Sequence, residues 1–120
     1  MLAKRLRLRK STDFQRVRTQ GRSWSNRQLV LCIAENTLPE SRFGFTISKR
    51  IGNAVVRNRL KRQMREAVRD IVDLVAPGYD IVVIARREIR GADMGVIEGA
   101  LLHLMTKADL LGNVGDAPIE

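Results

Sequence analysis

The chain has 120 residues and a net charge of +9, enough length for one domain around a single core. One cysteine (Cys32) and one histidine (His103) exclude a disulfide framework and a metal site built from Cys and His clusters. Aromatic residues are only 4% of the chain, so the core is expected from Val, Ile, Leu and Met, and every exposed aromatic becomes a candidate contact.

The N-terminal MLAKRLRLRKS has charge but neither the apolar run nor the small-residue cleavage site of a secretory signal. No stretch reaches the roughly 20 apolar residues of a membrane helix. The expectation is a cytoplasmic protein without a membrane partner. Ser11-Thr12-Asp13 supplies N-cap chemistry ahead of Phe14 and Val17, which share a face, and Gly21 is a stop. A short first helix is predicted there. RSWS at 22–25 reads as an edge strand and QLVLCIA at 28–34 as a buried one. RFGFTIS at 42–48 alternates, with Phe43, Phe45 and Ile47 on one face, and is expected to hairpin with its predecessor.

Val56, Leu60, Met64, Ala67, Val68, Ile71, Val72 and Val75 recur at helical spacing, predicting a long helix from Asn53 to about Ala76 that Pro77-Gly78 ends. DIVVIA at 80–85 is the next strand, and apolar positions from Met94 to Ala108 mark a last helix. Residues 112–120 read as a disordered tail behind a single domain at 1–111. The order αβββαβα predicts an α+β fold, a two-layer sandwich with helices packed on a four-stranded sheet.

Charge is distributed unevenly. Residues 1–65 hold 17 Lys or Arg against 3 acids, and residues 66–120 hold 5 against 10. A surface that neutralises phosphates produces such a split, whereas a general solubility bias does not. The densest stretch is KRIGNAVVRNRLKR at 49–62. On a helix, Asn58, Lys61, Arg62, Arg65 and Arg69 fall on one arc and the apolar residues on another, with Arg57 and Arg59 flanking the start. Asn53 is the expected N-cap, Gly52 lets the entering loop turn tightly, and Val55 and Val56 begin the packed side. Glu66, Asp70 and Asp73 appear only from mid-helix, where Arg62–Glu66 and Arg69–Asp73 are spaced to pair. The first two turns carry no acid, unlike an ordinary solvated face, whose charges mix.

Clustered carboxylates for a protein-held catalytic metal are missing from the basic half, which offers only Asp13, Glu35 and Glu40, in separate elements. A DNA regulator with a basic reading helix fits less well, because strands and not a second helix flank it. A ribosomal or general RNA-binding protein fits the composition fully. Trp24 is read as an RNA contact or a cover for the sheet edge, Phe14 as core or cleft, and His103 as structural.

SKRIGNAVVRNRLKRQMREAVR resembles the signature of the bacterial ribonuclease P protein component, an Arg-Asn-Arg segment followed by Lys-Arg and a further Arg on one helix. RLRLRKSTDFQRVRTQGRS, RFGFTISKRIGN and GYDIVVIARR resemble flanking parts of that family, so the likeness spans roughly residues 5–110. The resemblance implies a mixed sheet with a left-handed βαβ crossover, and a protein that binds a catalytic RNA and the 5′ leader of precursor tRNA in tRNA 5′ maturation. Hydrolysis, with magnesium, belongs to the RNA, so no catalytic residue, metal ligand or obligate protein partner is implied for the chain. Matched to the family's pattern, Lys49, Arg50, Asn53, Arg57, Asn58, Arg59, Lys61, Arg62 and Arg65 face the catalytic RNA. Phe14, Arg18 and Cys32 fall in the leader cleft. Arg18 and Cys32 stand where Phe and Tyr are common in the family, and Leu29 where Phe is common.

Overall fold

The computed structural model describes residues 2–111; the tail expected at 112–120 lies outside them. After a 3-10 turn at Lys4–Leu6 the elements are α1 (Ser11–Gln20), β1 (Arg22–Ser25), β2 (Leu29–Glu35), β3 (Arg42–Thr46), α2 (Ala54–Ile71), β4 (Tyr79–Ala85) and α3 (Met94–Lys107). This is the predicted order. The strands form one mixed sheet, β1-β2-β4-β3, antiparallel except for β3 beside β4. Here the expected hairpin is corrected: β3 does not pair with β2 but lies parallel to β4, with Phe43 opposite Ile81 and Phe45 opposite Val83. Alternation fixes which face a strand buries, not which neighbour it takes.

The two central strands, β2 and β4, divide their residues between two cores. Leu29, Leu31 and Ile33 of β2, Phe43 of β3 and Ile81, Val83 and Ala85 of β4 pack with Leu60, Met64, Ala67 and Val68 of α2 and with Ile97, Leu101, Leu104 and Met105 of α3. The opposite face carries a smaller cluster, in which Val17 and Phe14 of α1 meet Leu8, Cys32 and Val82. The apolar arc of α2 thus packs as its spacing predicts, except at Val55, which is 77% exposed; only Val56 leans on the core. Burying a Leu or Met side chain on this arc contributes about 1.5–3 kcal/mol, so the arc anchors the helix.

Helix ends are set by local chemistry. Asn53 caps α2 as expected, its side chain accepting from the Val56 N–H at 3.0 Å. Gly52 serves by close approach instead of by an unusual backbone angle: a Cβ there would lie 2.8 Å from Val56. The helix is shorter than predicted, giving way at Val72–Leu74 to a 3-10 turn. That removes the spacing for Arg69–Asp73, and Arg69 sits 3.8 Å from Asp70 instead. Arg62 and Glu66 stay exposed and form no ion pair among the described residues. In α1, Lys10 and not the Ser-Thr-Asp run occupies the N-cap, without a side-chain cap. Asp13 instead reaches 3.7 Å from Arg42.

β3 is an edge strand, and the N-terminal segment covers it. Arg7 bridges Phe43 in parallel, and the Leu8 N–H donates to the Phe43 carbonyl at 2.7 Å. This interrupts the open row of backbone groups through which an edge strand recruits a second chain.

Candidate nucleic-acid interface

The basic positions picked out around the opening turns of α2 are brought together by one sequence of events. β3 ends at Thr46, and the Ser48 hydroxyl accepts from the Arg50 N–H at 3.0 Å while Ile51 plugs into the core. Lys49 and Arg50 are thereby left exposed just before the helix. From Asn53 on, Asn58, Arg59 and Arg62 are exposed, whereas Lys61 and Arg65 are half-buried on the side toward the β3 edge. Arg57 is half-buried too; its Nε donates to the Gly52 carbonyl at 3.1 Å, so it braces the loop as well as adding charge. None of these cations has a carboxylate partner among the described residues. Free N–H groups and the positive dipole end at the start of α2 add to the same potential.

At the β3 edge this face meets the α1 side of the sheet. A groove of about 290 Å³ is lined by Arg7, Arg9, Phe14, Gly44, Lys61 and Arg65, with Leu8, Phe43 and Phe45 beneath. Phe14 lies against Gly44 so closely that a Cβ there would run into its ring. Phe14, assigned to the leader, and Lys61 and Arg65, assigned to the catalytic RNA, therefore share one groove. Burial pushes the Arg65 guanidinium down from its usual range, and the nearby Arg7 charge pushes it the same way. Two cations held together without a counter-charge form a site that an anion relieves. The sequence reading did not assign Arg7 a place here. Its alternation with Leu6 and Leu8 in RLRLR is the strand-like signal from which a pairing segment could have been read.

On the α1 side, burial pushes the Cys32 thiol up, and the Arg18 charge pulls it partly back. Phe14 joins Cys32 in the smaller cluster. Leu29 does not belong with them: it is 1% exposed in the principal core, on the other face of the sheet. Leu29 and Cys32 are three apart in one strand, and an odd separation puts side chains on opposite faces.

Trp24 leans on the principal core from β1, with the Arg22 guanidinium 5.2 Å from its ring centroid, which favours the edge-cover reading. His103 Nδ1 lies 3.2 Å from the Asn26 amide nitrogen, a structural contact. No group of three or more His, Cys, Asp or Glu side chains comes together among the described residues.

Known proteins with this sequence and shape point one way. The ribonuclease P family profile matches residues 2–109. The ribonuclease P protein component of Alkaliphilus metalliredigens is 43% identical over 105 residues, covering 88% of this chain and 95% of its own. That of Herpetosiphon aurantiacus is 43% identical over 104 residues, covering 87% and 85%. Among solved structures, the Staphylococcus aureus RNase P protein superposes with a TM-score of 0.83 at 34% identity, over 88% of this chain and 97% of that one. The Thermotoga maritima RNase P protein gives 0.78 at 32%, over 84% and 96%. With a profile match over nearly the whole chain, and sequence, fold and cationic face in agreement, this chain belongs to the ribonuclease P protein family.

Proposed function

We propose that this ribonuclease P protein component binds the catalytic RNA through Lys49, Arg50, Asn53 and the cationic face of α2, and the 5′ leader of precursor tRNA through the α1 side of the sheet. The single observation that carries the reading is the groove in which Phe14, Lys61 and Arg65 meet. A strand leaving the α1 side passes directly onto the helix face. Binding both RNAs side by side positions the scissile bond at the RNA's reactive centre and offsets phosphate repulsion there. Hydrolysis and magnesium belong, on this reading, to the RNA, and the chain's own part is to bind and orient in the cytoplasm. Arg18, exposed on α1, holds the leader by charge and by stacking its guanidinium on a base.

The test is reconstitution. Adding the purified protein to a bacterial ribonuclease P RNA and precursor tRNA at limiting magnesium is expected to raise both cleavage and substrate affinity. Unchanged cleavage and affinity would sink the reading.

A further inference from the structure

A second basic cluster gathers at the end of the sheet where β1, β3 and β4 finish and β2 begins. Register places Leu29 opposite Ala85 and Thr46 beside Ile84, so the β1–β2 turn, the β3–α2 loop and the segment after β4 lie side by side. They carry Arg27, then Lys49 and Arg50, then Arg86, Arg87 and Arg90, all exposed. Across the strands the cluster spans about 15 Å.

Local hydrogen bonds hold two of the three segments in place. Asn26 Oδ1 accepts from the N–H groups of Gln28 and Leu29, at 3.1 and 2.9 Å, which shapes the turn bearing Arg27. The Arg86 N–H donates to the Gln28 carbonyl at 2.8 Å, and its guanidinium donates to the Asn26 carbonyl at 3.2 Å. Arg86 is thus tied across the turn, with Arg27 next to it. None of the six cations has a carboxylate partner among the described residues. The two acids closest in sequence do not change this: Glu88 is exposed and unpaired among those residues, and Asp93 caps α3 by accepting from the Val96 N–H.

Resting on the reading above, we infer that this strand-end surface is a second phosphate-binding site for the catalytic RNA, continuous through Lys49 and Arg50 with the face of α2. Arg27, Arg86, Arg87 and Arg90 extend the interface beyond the helix, so the RNA backbone is held around the corner of the domain. Arg27, Arg86, Arg87 and Arg90 are not part of the groove that joins the leader side to α2, which opens at the β3 edge beside Arg7 and Phe14.

The probe is the catalytic RNA alone, titrated with the full chain across a salt series, and precursor tRNA in a parallel arm. Replacing Arg87 and Arg90 with Ala should weaken binding to the catalytic RNA about tenfold or more near physiological salt and make the log–log salt slope shallower by about one to two. Replacing Lys4 and Arg5, exposed cations at the other end of the sheet, removes the same charge and should leave the slope within about half a unit. Equal losses in both variants would reduce the effect to net charge and overturn the inference. So would an unchanged slope in the Arg87/Arg90 variant, or a loss seen only with precursor tRNA. If the unsubstituted chain fails to bind either RNA, the functional reading itself falls, which is a separate outcome.

Discussion

The two ends of the sheet use arginine in opposite ways. At the end where β3 and β4 begin, Asp80 is fully buried and takes Arg42 in a bidentate pair at 2.9 and 2.8 Å, Arg16 from α1, and the Asn36 amide at 2.9 Å. Arg42 also faces Asp13, and Arg5 pairs with Glu40 at 3.0 Å. At the end where β3 and β4 finish, Arg27, Arg50, Arg86, Arg87 and Arg90 have no acid partner among the described residues. One end uses cations to join α1, β3 and β4; the other leaves them for a ligand. A basic composition therefore overstates the binding surface, because part of the charge is already neutralised inside the fold.

Asp80 offers the largest effect by which to break this comparison. Burial pushes its carboxyl up, but hydrogen bonds from Arg42 and Asn36, with the Arg42 and Arg16 charges, outweigh that and hold it below the usual range. Asp80→Asn should cost about 3 kcal/mol, read as a fall in denaturation midpoint, since breaking a buried pair strands its partners. Its RNA salt slope should stay unchanged wherever it is folded. Because the folded carboxyl titrates lower than the unfolded one, its stabilisation is complete above about pH 4 and is lost as pH falls through the folded value. Acid unfolding of the Asn variant should accordingly be flatter on that limb, and an identical acid limb would show that Asp80 is not the joint.

The next effect belongs to binding. Replacing Arg57 and Arg59 with Ala should weaken catalytic-RNA affinity by roughly one to two orders of magnitude and flatten its salt dependence, with an unchanged circular dichroism spectrum. Unchanged affinity would remove α2 from the interface. Asn53→Ala should cost about 1 kcal/mol through the lost cap, measured by denaturant melting. The smallest effect is expected from Arg5→Ala, an exposed pair worth less than about 1 kcal/mol; a larger loss would show that the paired end depends on more than Asp80.

What could be read from the residues follows the same division. Periodicity located α2 and its core arc, because Leu60, Met64, Ala67 and Val68 repeat at helical spacing, and Asn53 declared its cap. The family likeness rested on that helix and its entering loop, the least interrupted local signal in the chain. Long-range pairing was not legible. Asp80 looked like the polar start of an apolar strand, and its partners Arg16, Asn36 and Arg42 lie 64, 44 and 38 residues away. The partner of β3 was hidden for the same reason, since its alternation is satisfied equally by a hairpin and by a parallel neighbour. Arg7 joined the groove only because the N-terminal segment pairs with β3.

The position of β4 between β2 and β3 has a consequence for how the chain emerges during synthesis. β1 and β2 can close as a hairpin early, but the sheet has no centre until residue 85 has been made. Until then the apolar arc of α2 and the inner edges of β2 and β3 wait without partners. Non-local pairing of this kind slows folding and lengthens the exposure of unpaired edges. A chain released before Tyr79 is thus not a smaller version of the domain but a set of open edges bearing most of its positive charge.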